Sequence, residues 1–290
     1  MLALPAVDIR RAVRRGLEED LGQGDITTTT LFPEPTTARA RIIAQQPLVV
    51  AGMAATIQTF IAVDASLKLT PSKRDGSHAK TGDVLLRIEG DGRSILMAER
   101  VALNFLQHLS GIATLTNRFC HAVHGYPVNI MDTRKTLPGW RPLQKWAVSL
   151  GGGTNHRMSL ADGILIKDNH LALMKNKKTA VLSACRMAQV AASKDKPVIV
   201  EVESLSEVRD ALHGKADIIL LDNMTPARVK QAVKLIGGRA LVEVSGGITL
   251  KNVRAMAAAG PDRISIGTLT HSAPAATINL VLEPRRQGRS

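Results

Sequence analysis

Apolar residues first recur at helical spacing in residues 6–21, where Ile9, Val13, Leu17 and Leu21 stand four apart and Asp8 offers a cap. The chain therefore opens with an amphipathic helix, ended by Gly22 and Gly24. Asp25 and the threonines 27–30 read as a loop or short edge. Residues 39–51 are rich in Ile, Leu and Val but broken at Pro47, and residues 82–90 have the same character, which predicts strands. Together these pieces make a small α+β domain. From about Ser94 to His121 a long helical pattern puts Val101, Phe105, Leu109 and Ile112 on one stripe and Arg100, Asn104, Gln107 and Gly111 on another. Gly111 is a point at which such a helix can bend.

Beyond that helix the pattern changes to short apolar runs that end in a polar residue or glycine. They span 128–132, 164–167, 198–203, 218–222, 240–245 and 263–267. Helical stretches separate the later runs: 173–193, 204–212 with Ser204 capping, 225–236 with Pro226 in the first turn, and 249–259. Strand alternating with helix implies parallel pairing through right-handed crossovers. A barrel-like sheet fits this spacing, and ligands of such sheets sit beyond the C-terminal strand ends, where Asp132, Lys167, Glu201, Asp222, Ser245 and Gly267 fall. Six strands fall short of eight, so a doubly wound open sheet stands as the alternative.

Composition narrows the partners. A length of 290 residues implies about two domains. No apolar stretch reaches the roughly 20 residues of a membrane span. Asp8, Arg10 and Arg11 interrupt the N-terminus before any signal-peptide core, so a cytoplasmic protein without membrane partners is expected. Cys120 and Cys185 lie far apart and read as two buried thiols, with neither disulfide nor zinc spacing. A net charge of +13 calls for nucleic acid or acidic small molecules. With 2% aromatic residues and basic residues scattered rather than in tracts, nucleic acid is disfavoured. The groups Arg10, Arg11, Arg14, Arg15 and Arg285, Arg286, Arg289 read as solvated helix face and tail.

The densest chemistry lies in residues 132–170, where Arg134, Lys135, Arg141, Lys145, His156, Arg157, Lys167 and His170 are set among glycines and short apolar runs. Glycine lets backbone approach a ligand, Arg offers a planar fork to carboxylate or phosphate, and Lys offers a point charge. This is a layout for a small polyanion. Farther on, Ser245-Gly246-Gly247 and Ile266-Gly267-Thr268 follow the last two strands, as in the phosphate sites of barrels. The plainer reading of those glycines is tight strand-to-helix turns. Glu201 and Asp222 suit ribose hydroxyls or a Mg²⁺ bound to diphosphate, or else serve as ion-pair partners of nearby cations.

Several motifs together resemble the quinolinate phosphoribosyltransferases, the carboxylating nicotinate-nucleotide diphosphorylases of NAD biosynthesis. They are residues 19–27 (Glu-Asp-Leu-Gly-x-Gly-Asp-Ile-Thr), 98–114, 132–139 (Asp-Thr-Arg-Lys-Thr-x-Pro-Gly), 151–157 (Gly-Gly-Gly-x-Asn-His-Arg) and 165–170 (Leu-Ile-Lys-Asp-Asn-His), with the two glycine motifs above. The resemblance covers nearly the whole chain. It implies an N-terminal α/β sandwich domain of residues 1–114, joined by the C-terminal segment 272–290, and an incomplete TIM-like α/β barrel of residues 115–271. It also implies a homodimer with shared active sites, Arg100 reaching into the neighbouring subunit's site, and Mg²⁺ as cofactor. Arg134, His156, Arg157 and Lys167, with Thr133 and Lys135 beside them, resemble the residues that face quinolinate and the reacting centre. Glu201 and Asp222 resemble those on the ribose and Mg²⁺ side. Ser245, Gly246, Gly247, Ile266, Gly267 and Thr268 resemble the cradle of the 5′-phosphate of phosphoribosyl diphosphate. Lys135, Lys167, Glu201 and Asp222 are the candidates for catalysis. A nicotinate-using sibling, a barrel aldolase with Lys167 as Schiff-base amine, and a non-catalytic anion binder are the competing readings.

Overall fold

The computed structural model describes residues 6–176, 179–193 and 195–283. The chain divides into two compact units, one of residues 1–117, 136–152 and 269–290 and one of residues 118–135 and 153–268. Residues 136–152, which the sequence reading places in the barrel, group with the first unit.

The first unit begins with α1 (Ala6–Leu21), in which Val13 is buried while Arg10, Arg11, Arg14 and Arg15 are exposed. Next comes α2 (Ile26–Leu31), where a loop or short edge was expected. Its cause is Asp25, whose carboxylate accepts the Thr28 N–H at 2.9 Å, while Thr28 itself is buried. Cap and burial outweigh the weak helix propensity of threonine. The unit continues through β1 (Thr37–Ala44), β2 (Leu48–Val49), α3 (Met53–Val63), β3 (Lys68–Pro71), β4 (His78–Ala79), β5 (Val84–Asp91) and α4 (Gly92–Ala122), whose last residues enter the second unit. Its antiparallel sheet has the order β12-β1-β5-β3, with β12 (Ile278–Glu283) supplied by the C-terminal segment and paired to β1 from Arg39↔Glu283 to Ala44↔Ile278. Phe60, Ile42, Leu86, Ile88, Ile95 and Leu106 lie at the heart of its core.

Helix α4 runs unbroken through Gly111. A side chain there would collide with the carbonyl oxygen of Pro274, so the glycine admits the returning C-terminal segment. That segment is also tied down by Ala276 N–H to the Gln107 carbonyl (2.9 Å) and by Gln107 Nε2–H to the Ile278 carbonyl (2.7 Å).

The second unit holds β6 (Asn129–Met131), β7 (Ile164–Ile166), α6 (Asp168–Ala172), α7 (Ala180–Ala191), β8 (Val198–Val202), α8 (Leu205–His213), β9 (Ile218–Asp222), α9 (Pro226–Ile236), β10 (Leu241–Ser245), α10 (Val253–Ala258) and β11 (Arg263–Ser265). Helix α5 (Arg141–Leu150) falls in the first unit. All six anticipated strands form one parallel sheet of order β6-β11-β10-β9-β8-β7, wrapped by helices. With β6 and β7 as its two outermost strands, not paired to each other, this is the incomplete α/β barrel. Ser204 caps as read, accepting from Glu207 N–H in a capping box, and Pro226 stands in the first turn of α9 as expected, with Thr225 as the cap the structure adds. Of the helix expected over 173–193, α7 (Ala180–Ala191) forms; Leu173, which caps the short α6 that precedes it, is 87% exposed. The tail arginines 285, 286 and 289 lie outside the described residues.

Candidate active site

Parallel pairing brings the C-terminal strand ends to one edge of the sheet. Register places Ser245 beside Asp222, Glu201 beside Leu220, and Ser265 beside Met131. Along that edge, from β6 to β7, stand Asp132, Gly267, Ser245, Asp222, Glu201 and Lys167, in agreement with the sequence reading.

The cationic group is built around Asp132, which is fully buried just past β6. Its carboxylate accepts the His156 backbone N–H at 2.8 Å and the Asn155 Nδ2–H at 2.6 Å. Backbone bonds from Thr154 N–H to the Ile130 carbonyl (2.8 Å) and from Asp132 N–H to the Thr154 carbonyl (3.2 Å) lay residues 154–157 alongside β6. Hence the Asp-Thr-Arg-Lys and Asn-His-Arg motifs meet. Thr133 Oγ1 accepts the Lys135 N–H at 3.1 Å, which shapes the turn that carries Arg134 and the exposed Lys135.

Arg157 donates through Nη1 to the Gly163 carbonyl at 2.7 Å, while its Nε is buried with no hydrogen-bond partner among the described residues. Burial, and next the charge of Arg134, push its pKa below the usual arginine value, against the opposing pull of Asp162 and Glu243. A guanidinium stays charged in proteins. Two crowded, partly desolvated guanidinium groups therefore gain from an entering anion.

Side chains alternate along each strand, so those two residues below the mouth line the interior of the sheet. On β7, β8 and β9 these are apolar: Leu165, Ile199, Ile218 and Leu220 form one cluster. On β10 and β11 they are polar, with Glu243 fully buried and Ser265 nearly so. Ser265 Oγ–H donates to Glu243 Oε1, and His156 Nε2 lies 3.2 Å from the same oxygen. The Arg157 backbone N–H donates to His156 Nδ1 at 2.7 Å. Burial raises the Glu243 carboxyl, but the hydrogen bonds from His156 and the Ser265 hydroxyl, with the Arg263 charge, outweigh it and hold the group below the usual carboxylate range.

On the other flank Lys167 Nζ lies 3.0 Å from Glu201 Oε2, so the ion-pair reading of Glu201 holds in this state. Asp222 Oδ1 accepts the Ser245 hydroxyl at 2.6 Å, and Asp222 Oδ2 accepts the Asn223 Nδ2–H at 2.6 Å. Gly246 and Gly247 have φ of 87° and 62°. A side chain at Gly246 would strike the Asn223 amide, whereas nothing approaches Gly247 within 4 Å, so open space lies over its backbone. Ile266 N–H bonds the Met131 carbonyl at 2.9 Å and carries Gly267 and Thr268 past the end of β11.

Arg100 is exposed on α4 of the first unit. Arg141 and the fully buried Lys145, which the sequence pattern counts among the clustered cations, sit on α5 of that unit. His170 accepts the Lys167 N–H at Nδ1, 2.9 Å away. The sequence reading missed Glu243 and the anchoring work of Asp132. Glu243 did carry a signal, a carboxylate at an inward position two residues before the Ser-Gly-Gly motif. Cys185 is buried and Cys120 half-buried, and burial pushes their thiols up to about 12 and about 11 respectively. No group of three or more His, Cys, Asp or Glu side chains that could hold a metal occurs among the described residues.

A parallel open barrel with cations on one flank of its mouth and carboxylates and a glycine cradle on the other defines an enzyme that handles a phosphorylated, acidic substrate pair. Residues 25–110 match the N-terminal and residues 112–281 the C-terminal domain model of quinolinate phosphoribosyl transferase, and the chain belongs to that family. It is 41% identical to a probable carboxylating nicotinate-nucleotide pyrophosphorylase of Methanocaldococcus jannaschii, over 93% of this chain and 95% of that one. The protein of the same name in Bacillus subtilis is 37% identical over 94% and 93% of the two chains. The nicotinate-nucleotide pyrophosphorylase structure from Francisella tularensis superposes with a TM-score of 0.88 at 36% identity, covering 97% of this chain and 98% of that one.

Proposed function

We propose that this protein transfers the phosphoribosyl group of phosphoribosyl diphosphate to quinolinate, releasing diphosphate and CO₂ and forming nicotinate mononucleotide for de novo NAD biosynthesis. Family membership and the carboxylating relatives support this reading. The observation that carries it within the site is the meeting of Arg134, His156 and Arg157 around buried Asp132, on the same sheet edge as Ser245, Gly246 and Gly247.

In this reading the 5′-phosphate lies over Ser245–Gly247 and Ile266–Thr268, where open backbone at Gly247 lets an anion approach. Arg134 and Arg157, with Thr133, Lys135 and His156, hold the two carboxylates of quinolinate, which fixes the ring nitrogen toward C1′. Diphosphate leaves C1′ with its bonding electrons through an oxocarbenium-like state, and the ring nitrogen's lone pair closes the new N–C1′ bond. The quaternised nitrogen then accommodates electrons left at the adjacent ring carbon as the 2-carboxylate departs as CO₂, and that carbon takes a proton. Lys167, paired with Glu201, is placed to stabilise charge on this flank.

Glu201 and Asp222 are two carboxylates at neighbouring strand ends that form no three-ligand cluster among the described residues, a donor set that fits Mg²⁺ held chiefly by diphosphate and water. Bound there, Mg²⁺ would neutralise charge on the diphosphate. A homodimer in the cytoplasm, with Arg100 completing the neighbouring subunit's site, belongs to the same reading; nucleic acid and membrane do not. No helix among the described residues is long and apolar enough to cross a membrane.

Incubation with phosphoribosyl diphosphate and Mg²⁺ tests the proposal: diphosphate and CO₂ should appear in equal amounts with quinolinate and not with nicotinate. Turnover of nicotinate would instead assign a sibling reaction. Replacing Arg157 with Ala should raise the quinolinate KM by about 100-fold, the loss of a charge-assisted carboxylate grip. The phosphoribosyl diphosphate KM should stay within about threefold.

A further inference from the structure

We propose that Glu243 is a positioning residue that sets the quinolinate grip through the His156 ring. The inference rests on the reading of Arg134, His156 and Arg157 as the dicarboxylate site.

Glu243 lies at an inward position of β10 and has no contact with solvent. Its Oε1 receives the Ser265 hydroxyl and faces His156 Nε2 at 3.2 Å, while Oε2 has no hydrogen-bond partner among the described residues. On the far side of the imidazole, Nδ1 accepts the Arg157 backbone N–H at 2.7 Å. A nitrogen that accepts an N–H carries no hydrogen, so Nε2 carries it and donates to Glu243. The ring is thus the Nε2–H tautomer, held at both nitrogens. Its other bond falls on the peptide that carries Arg157, whose guanidinium is short of partners at Nε. Glu243 therefore fixes the ring, the ring fixes the 156–157 peptide, and that peptide fixes the origin of the Arg157 side chain. A buried carboxylate on an otherwise hydrophobic strand, with Val242 and Val244 on either side, is costly unless it is used. At the level of Glu243 the sheet presents Leu220 on β9 and, on β8, Glu201, whose charge is paired with Lys167.

Because both hydrogen bonds fall on Oε1, Glu243→Gln keeps the acceptor and removes only the charge, while Glu243→Ala removes both. The expected result for E243A is a quinolinate KM raised at least tenfold with the phosphoribosyl diphosphate KM within twofold. E243Q should recover most of that loss. S265A, which leaves the carboxylate but frees it, should raise the quinolinate KM by a few-fold and supplies the reading if E243A fails to fold. Imidazole ¹⁵N shifts should report the Nε2–H tautomer of His156 in the unsubstituted protein and a mixture in E243A, independently of any substrate. An unchanged quinolinate KM in E243A, while R157A raises it, would overturn the positioning role and leave the dicarboxylate site standing. So would equal increases in both KM values, or an E243Q as impaired as E243A. If R157A also leaves the quinolinate KM unchanged, the site assignment fails and the positioning role fails with it.

Discussion

The antiparallel sheet of the first unit and the parallel sheet of the second bury their strands differently. β1 alternates exposed or half-buried with buried positions, so one face is wet and one packs on the core. β9 is buried at four successive residues and open only at Asp222, its last. In the first sheet a polar residue is ordinary and carries no message. In the second, covered on both faces, polar side chains gather at the strand ends and on the inward face of β10 and β11, and those places coincide with the candidate site. A polar residue is informative in proportion to how expensive its surroundings make it.

If that division holds, damage to the first core should show in stability and damage at the second unit's strand ends in kinetics. Phe60→Ala empties a fully buried position of the first unit's core. It should cost about 3–5 kcal/mol of unfolding free energy in denaturant titration. The KM values of the surviving folded enzyme should stay within about twofold; a selective rise in either one would break the comparison. Gly246→Ala forces a side chain onto the Asn223 amide at φ 87°. It should lower kcat/KM for phosphoribosyl diphosphate by roughly 100-fold, since strained φ and overpacking each cost about 1–3 kcal/mol. Its melting temperature should move less than that of Phe60→Ala, and the reverse order would count against the division.

The smallest effect sharpens the first half of the comparison. Asp75 caps α3 from a distant loop, accepting the Met53 N–H at 2.9 Å and the Ala54 N–H at 3.3 Å. Burial raises its carboxyl above the usual range against these hydrogen bonds. Asp75→Ala should then cost about 1 kcal/mol of stability, whereas Asp75→Asn, which keeps an acceptor without the penalised charge, should cost less. Neither should alter turnover. Because the folded carboxyl is harder to ionise than the unfolded one, its charge opposes folding as pH rises through the acid range. The Asp75→Asn protein should lose that dependence.

Much of this molecule follows from local pattern. The helix of residues 6–21, the six strands of the parallel sheet, the cap at Ser204, Pro226 in the first turn of α9, and the glycine turn at 245–247 all answer to periodicity or turn chemistry within a few residues. Their causes are short-ranged, so a linear reading reaches them. Other features depend on contacts distant in sequence. Asp132 is one strand end among several until residues 154–157 return to it. Gly111 looks like a hinge until the Pro274 backbone lies against it. Lys145 is one cation among several until its helix face is buried within the first unit. Glu243 is a polar interruption in a strand until Ser265 and His156 close on it from separate segments. Residue type and spacing supplied the list of chemically able groups. Which of them share a site was decided by pairing across the sheet and by burial, because both depend on which distant segment arrives at each side chain.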